Sequence, residues 1–142
     1  MMSDAPRFHP TGPQILGVIA LGGAIGALAR YGLAEAIPHR AGTFPWSTFL
    51  TNVSGCLLIG ALLVVITEAR TVHPLSRPFL GTGILGGFTT FSTFTVDTER
   101  LLADRPLTAT AYFFGTVVAA LLAVQTGVVV TRRLTRPERP SP

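Results

Sequence analysis

An all-α integral membrane protein with four transmembrane helices, the third of them broken, is the fold class this sequence predicts. Three observations carry that expectation: the composition, the spacing of charges, and a glycine run followed by hydroxyl and aromatic residues inside one span. Apolar residues make up 48 % of the 142-residue chain and charged residues 13 %, about half the charged share of an ordinary soluble domain. Mean hydropathy is +0.51. That apolar content excludes disorder for the bulk of the chain, and the single Cys56 excludes a disulfide framework or a cysteine-based zinc site. A net charge of +4 invites a nucleic-acid reading. The eleven basic residues are all arginine, however, and they punctuate apolar runs instead of forming a basic stretch. No nucleic acid is expected as a partner.

Charge spacing places the spans. There are 22 uncharged residues between Arg7 and Arg30, 27 between Arg40 and Glu68, 19 between Arg77 and Asp97, and 26 between Arg105 and Arg132. Each gap approaches or exceeds the roughly 20 residues a helix needs to cross a hydrocarbon core. The predicted spans are residues 14–36, 48–67, 78–101 and 106–131. Pro13, Pro38, Pro45, Pro74, Pro78 and Pro106 fall at or outside their ends, where proline is tolerated. Helices are required because the backbone in lipid must satisfy its own hydrogen bonds, and no period-2 pattern of barrel strands occurs. A soluble bundle of buried helices is disfavoured by four such gaps in succession. Ala27-Leu28-Ala29 resembles a signal-peptide cleavage site, but the apolar run is long for a signal core and three more spans follow.

The polar ends lie outside this unit. Residues 1–13 are proline-punctuated and residues 132–142 are basic and proline-rich, so both are expected to be flexible. With four spans the termini share a side with the 68–77 loop. Seven arginines flank that side (Arg7, Arg70, Arg77, Arg132, Arg133, Arg136, Arg139) against three on the other (Arg40, Arg100, Arg105). The positive-inside rule therefore favours cytoplasmic termini, although without the tail the count is even.

Function is most readable from costly polar residues inside the spans. Arg30 either snorkels to the headgroups or serves a site. Asn52 sits four residues into the second span, able to bond a neighbouring helix or to present N–H groups to a passing solute. The Asn52-Val53-Ser54 sequon has no meaning inside a membrane. The third span carries the anomaly, Gly81-Thr82-Gly83-Ile84-Leu85-Gly86-Gly87-Phe88-Thr89-Thr90-Phe91-Ser92-Thr93-Phe94-Thr95. Gly81, Gly83 and Gly86 spell a dinucleotide fingerprint, yet the strand and βαβ unit it needs are missing. An interruption at Gly86-Gly87 accounts for them better, since exposed carbonyls are tolerated at membrane depth only against protein, water or an ion. Beyond it, the helical spacing puts Phe91 and Phe94 on one face and Thr90 and Thr93 on another, with Ser92 between. Ring edges are electropositive, so rings beside hydroxyl and amide donors can solvate a small anion. Plain helix packing by Gly, Thr and Phe is the competing reading. Gly22 and Gly26 form a small-xxx-small face assigned to packing, and Tyr112, Thr116 and Ala120 make one stripe on the fourth span. His9, His39 and His73 lie outside the spans, and no carboxylate is expected at mid-membrane.

Taken together these residues resemble the CrcB/Fluc family of fluoride channels. The matching blocks are Gly22-Gly23 with Gly26 through Tyr31; Phe44-Pro45-Trp46 with Thr48 and Asn52 through Gly55; and Gly81 through Gly83 with Gly86 through Phe94. Ser47 stands where the family usually has glycine, Asp97 where glutamate is frequent, and Ala120 where some members carry a hydroxyl. The resemblance implies a fluoride-selective passive channel of the plasma membrane that exports cytoplasmic fluoride. It also implies an antiparallel, dual-topology dimer, formed with itself or with an oppositely oriented homologue. It assigns Asn52, Phe91, Phe94, Ser92, Thr93, Tyr112 and Thr116 to the fluoride pore, Arg30 to the vestibule, and the carbonyls of Gly86 and Thr89 to a structural Na+ on the two-fold axis. No enzymatic chemistry is implied. The rival readings are a small proton-coupled exporter, which needs a deep carboxylate, and a membrane scaffold that transports nothing.

Overall fold

A computed structural model describes residues 10–68 and 73–135 of the chain. Four helices long and apolar enough to cross a membrane are present among them, spanning Gly12–Ala36, Trp46–Glu68, Arg77–Asp104 and Pro106–Thr135, and no strand occurs among the described residues. The first is α1 (Gly12–Ala36) and the second α2 (Trp46–Glu68). The third comes in two pieces. Its first piece, α3, is a π-helical segment Arg77–Leu85 completed by the single turn Gly86–Phe88; its second is α4 (Phe91–Asp104). The last helix is α5 (Pro106–Thr135).

Local chemistry sets the helix ends. Gln14 reaches back to accept the Thr11 N–H at 2.9 Å, and Pro13 occupies the first turn of α1, where no N–H is needed. Pro38 keeps Ile37 out of the helical region, so α1 stops at Ala36. The connecting loop turns at Gly42, whose φ of 78° falls where side chains are disfavoured. Pro106 ends the third span as surely as it begins the fourth, leaving Arg105 alone as the connection.

Two glycine contacts hold the helices together. On α1, a methyl group on Gly26 would overlap the Ile84 carbonyl and lie 2.8 Å from the Phe88 nitrogen; a methyl on Gly87 would overlap the Gly23 carbonyl. Between α2 and α5 the contact is reciprocal, with Gly60 against the Val124 carbonyl and Gly127 against the Leu57 carbonyl. Close backbone approach of this kind is how helices associate where lipid supplies no hydrophobic drive. The compact apolar core is small: Phe94, Leu101, Ala109 and Tyr112, with Phe44 and Phe49 packed against it. Large apolar side chains such as Leu121, Leu28 and Phe114 are exposed on the isolated chain, as a lipid-facing surface requires.

Two expectations change in detail. The interruption of the third span falls at Thr89–Thr90, both extended (ψ 155° and 121°), while Gly86 is helical at φ −65°, ψ −36°. Gly87 is small because α1 presses on it, and the backbone opens only where that pressure ends. The tail placed from Arg132 onward begins as helix, since Arg132 to Thr135 continue α5 and Arg132 Nε bonds Glu68 Oε1 at 2.8 Å. Similarly, Gly12 and Pro13 already belong to α1. The remainder of both flexible ends lies outside the described residues, as do four of the arginines in the topology count (Arg7, Arg70, Arg136 and Arg139).

Candidate functional site: a clamped helix break

The site is organised by Asn52. Its Nδ2 donates to the Thr90 carbonyl at 2.9 Å and its Oδ1 accepts the Thr90 N–H at 2.8 Å. A side-chain amide thus pairs with one backbone residue as a neighbouring strand would, and this satisfies both backbone groups of Thr90 in the extended segment. Of the two alternatives open for Asn52, bonding a neighbouring helix is realised. Each amide nitrogen carries two hydrogens, so one N–H is left without a protein partner among the described residues.

Thr90 also starts α4. Its Oγ1 accepts the Thr93 N–H at 3.1 Å, an N-cap, and donates to Thr93 Oγ1 at 3.0 Å, with Ser92 Oγ at 3.3 Å. These bonds divert donors from two carbonyls. In an unbroken helix the Thr90 N–H would bond the Gly86 oxygen and the Thr93 N–H the Thr89 oxygen. Here both are used elsewhere. Gly86 and Thr89, the two residues expected to offer carbonyls, thereby lose their i+4 donors, as the end of any helix does, and Gly86 is exposed on the chain. Neutral carbonyl oxygens suit a hard monovalent cation, so the residues fit a sodium ion. Arg30 is not extended toward bulk water: its Nε reaches the Gly87 carbonyl at 3.3 Å, setting a cation at the C-terminal end of α3, where the helix dipole favours one.

Two recesses flank Thr90. The larger, about 280 Å³, is lined by Asn52, Phe91, Phe94 and Thr116, with Thr89 and Ala120 among its other walls. The smaller, about 110 Å³, is lined by Arg30, Thr48, Thr51, Thr90 and Thr93, with Tyr31 at its edge. Asn52, Phe91, Phe94 and Thr116 are therefore brought together, whereas Arg30 and Thr93 belong to the neighbouring recess. Ser92 is exposed and lines neither. Phe91 and Phe94 are 6.0 Å apart between centroids, but their environments differ: Phe94 is 4 % exposed and Phe91 78 %. Phe94 packs on Tyr112 and Phe113 at 5.3 and 5.4 Å. The hydroxyls of Tyr112 and Thr116 are buried without a hydrogen-bond partner among the described residues. The two hydroxyls share one stripe of α5.

One pair was not singled out in the sequence. Thr48 donates to Asp97 Oδ2 at 2.7 Å, and both are buried. Their positions were informative, since Thr48 lies four residues before Asn52 and Asp97 three after Phe94, each extending a face already marked. Asp97 looked like the end of a span because α4 was expected to stop near Leu101; it continues to Asp104.

Comparison with known proteins decides the family. Residues 17–128 match the family described as CrcB-like protein, Camphor Resistance (CrcB). The chain belongs to the CrcB family. Among similar proteins, Fluoride-specific ion channel FluC 1 of Streptomyces coelicolor is 51 % identical over 125 residues, covering 87 % of this chain and 81 % of the relative. Fluoride-specific ion channel FluC 2 of Nocardia farcinica is 48 % identical over 132 residues, covering 92 % and 94 %. The FluC 2 protein of Thermobifida fusca is 46 % identical over 121 residues, covering 84 % and 90 %. With four helices long and apolar enough to cross a membrane, and with relatives named as ion channels, this is a multi-pass protein of the cell membrane.

Proposed function

We propose that this chain is a fluoride-selective passive channel that exports cytoplasmic fluoride and so protects the cell from it. The observation that carries the reading is the recess beside Thr90, where one spare Asn52 N–H, the orphan Thr116 hydroxyl and two phenylalanine rings converge. Fluoride is small and strongly hydrated, so a selective path must replace its water with donors. Amide and hydroxyl donate conventional bonds, and ring edges add a weaker positive field. The N-terminus of α4 opens beside Thr90 and favours negative charge. Such donors favour the small fluoride over the larger chloride, which gains less from each contact because its charge stays farther from the donor. Transport needs no chemical conversion and no coupled proton: HF diffusing in from acid surroundings dissociates, and an inside-negative potential drives the anion out.

The functional unit in this reading is an antiparallel dimer, of two copies or of this chain with an oppositely oriented homologue. The Gly86 carbonyl, left without its i+4 donor on an exposed residue, calls for a covering surface other than lipid. Gly86 and Thr89 from each subunit would hold a central Na+, which supplies a fixed positive charge. Ser92, Thr93 and Tyr112 complete the polar path, and Arg30 its vestibule.

The test is a liposome flux assay with a potassium gradient and valinomycin. Fluoride is expected to leave the vesicles and chloride to stay; comparable chloride flux would falsify selective conduction. After thorough sodium depletion, dimer stability and flux are expected to fall together and to recover on adding sodium back. No change in either removes the ion from the site.

A further inference from the structure

At the loop end of the site, a cavity of about 440 Å³ lies under residues 39–45, bounded by His39, Thr43 and Pro45 on one side and by Asp97, Arg100 and Leu101 of α4 on the other. Asp97 connects this cavity to the buried interior: Oδ2 takes the Thr48 hydroxyl at 2.7 Å, while Oδ1 lies 3.9 Å from His39 Nε2. Thr48 also lines the smaller recess beside Thr90, together with Arg30 and Thr93. The Thr48–Asp97 pair thus stands between that recess and the cavity.

A carboxylate at the mouth of an anion path repels the ion it must pass. We propose that His39 is the proton-dependent counter-ion of Asp97, so that fluoride conduction rises when the imidazole is charged. This rests on the channel reading above. His39 is a positioning residue for charge and touches no part of the recess. Its side chain is 33 % exposed and Asp97's 6 %, so protons reach the imidazole from water while the carboxylate it serves stays inside. The other charged groups at the cavity are Arg100 and Asp104 from α4, the Arg105 guanidinium beside Gly42, and Arg40 next to His39 in the loop. From α5 the titratable group is Tyr112, and α2 contributes only the Thr48 hydroxyl. Among ordinary side chains, imidazole is the one that changes charge near neutral pH. Falling pH adds a positive charge opposite Asp97, cancels its field and lowers the barrier for an anion. An acid environment, which loads a cell with HF, then also opens its exit.

The experiment is fluoride current across a planar bilayer at symmetrical fluoride and symmetrical pH, where neutral HF carries no current. Between about pH 8 and about pH 5.5, wild-type current is expected to rise roughly threefold, the effect of one partly exposed ion pair on a barrier. His39→Gln is expected to give a flat profile at the wild-type high-pH level, and His39→Lys a flat profile at the low-pH level. A wild-type current independent of pH, or a slope retained by His39→Gln, overturns the counter-ion role. Absence of any fluoride current in the wild type overturns the channel reading itself, and this proposal with it.

Discussion

The two halves of the third span are made of different material and do different work. Before the break, α3 is glycine-rich and meets α1 backbone to backbone, with Gly22, Gly23 and Gly26 facing Gly83, Ile84 and Gly87. After it, α4 is rich in hydroxyl and aromatic residues, and its inner face meets α5 and the loop through Phe94, Asp97 and Leu101. One half lacks side chains where it touches; the other presents little else. Glycine here provides closeness, and the polar and aromatic side chains are left to α4.

Substitutions should therefore fail differently on the two sides. The largest effect is expected from Gly87→Val, because the added side chain meets the Gly23 backbone, which cannot give way. A loss of about 3 kcal/mol is expected, seen as a collapse in the yield of monodisperse protein; a well-behaved variant would break the contrast. Next comes Asn52→Leu at the junction. It strands the Thr90 N–H and carbonyl, lowering stability by about 1–3 kcal/mol and abolishing fluoride flux, read by thermal unfolding beside the liposome assay.

On the far side, flux and stability should separate. Phe94→Ile and Phe91→Ile are each expected to slow fluoride roughly tenfold, about 1.4 kcal/mol on the barrier. Only the buried Phe94 change should also lower the melting temperature of the isolated subunit, and equal melting losses would contradict the difference in exposure. The smallest structural effect belongs to Thr116→Val. Its hydroxyl bonds nothing among the described residues, so stability should hold or improve by up to about 1 kcal/mol while flux drops a few-fold. A stability loss there would mean the hydroxyl has a partner in the folded protein.

Much of this was legible in the residues. Charge-free gaps bounded by prolines mark four helices because an apolar solvent forbids both charges and unpaired backbone. The cluster from Gly81 to Phe94 announced an interrupted helix. The position of the break was misjudged by about one helical turn. Glycine is permissive but does not by itself open a helix. The opening comes from the pairing of Thr90 with Asn52, 38 positions away in the chain, and no local pattern encodes such a contact. The Thr48–Asp97 pair is hidden for the same reason: its two residues are 49 positions apart in the chain, and only the packing of two helices brings them together.

The reciprocal contact between α2 and α5 has a mechanical consequence. Gly60 is seated on Val124, and Gly127 on Leu57, each glycine resting on the other helix's carbonyl. Such a double notch resists sliding in either direction, because any axial shift drives a neighbouring side chain into main-chain atoms. The recess wall that these two helices share therefore keeps its register, and slippage of one along the other is not a route by which the passage opens or shuts.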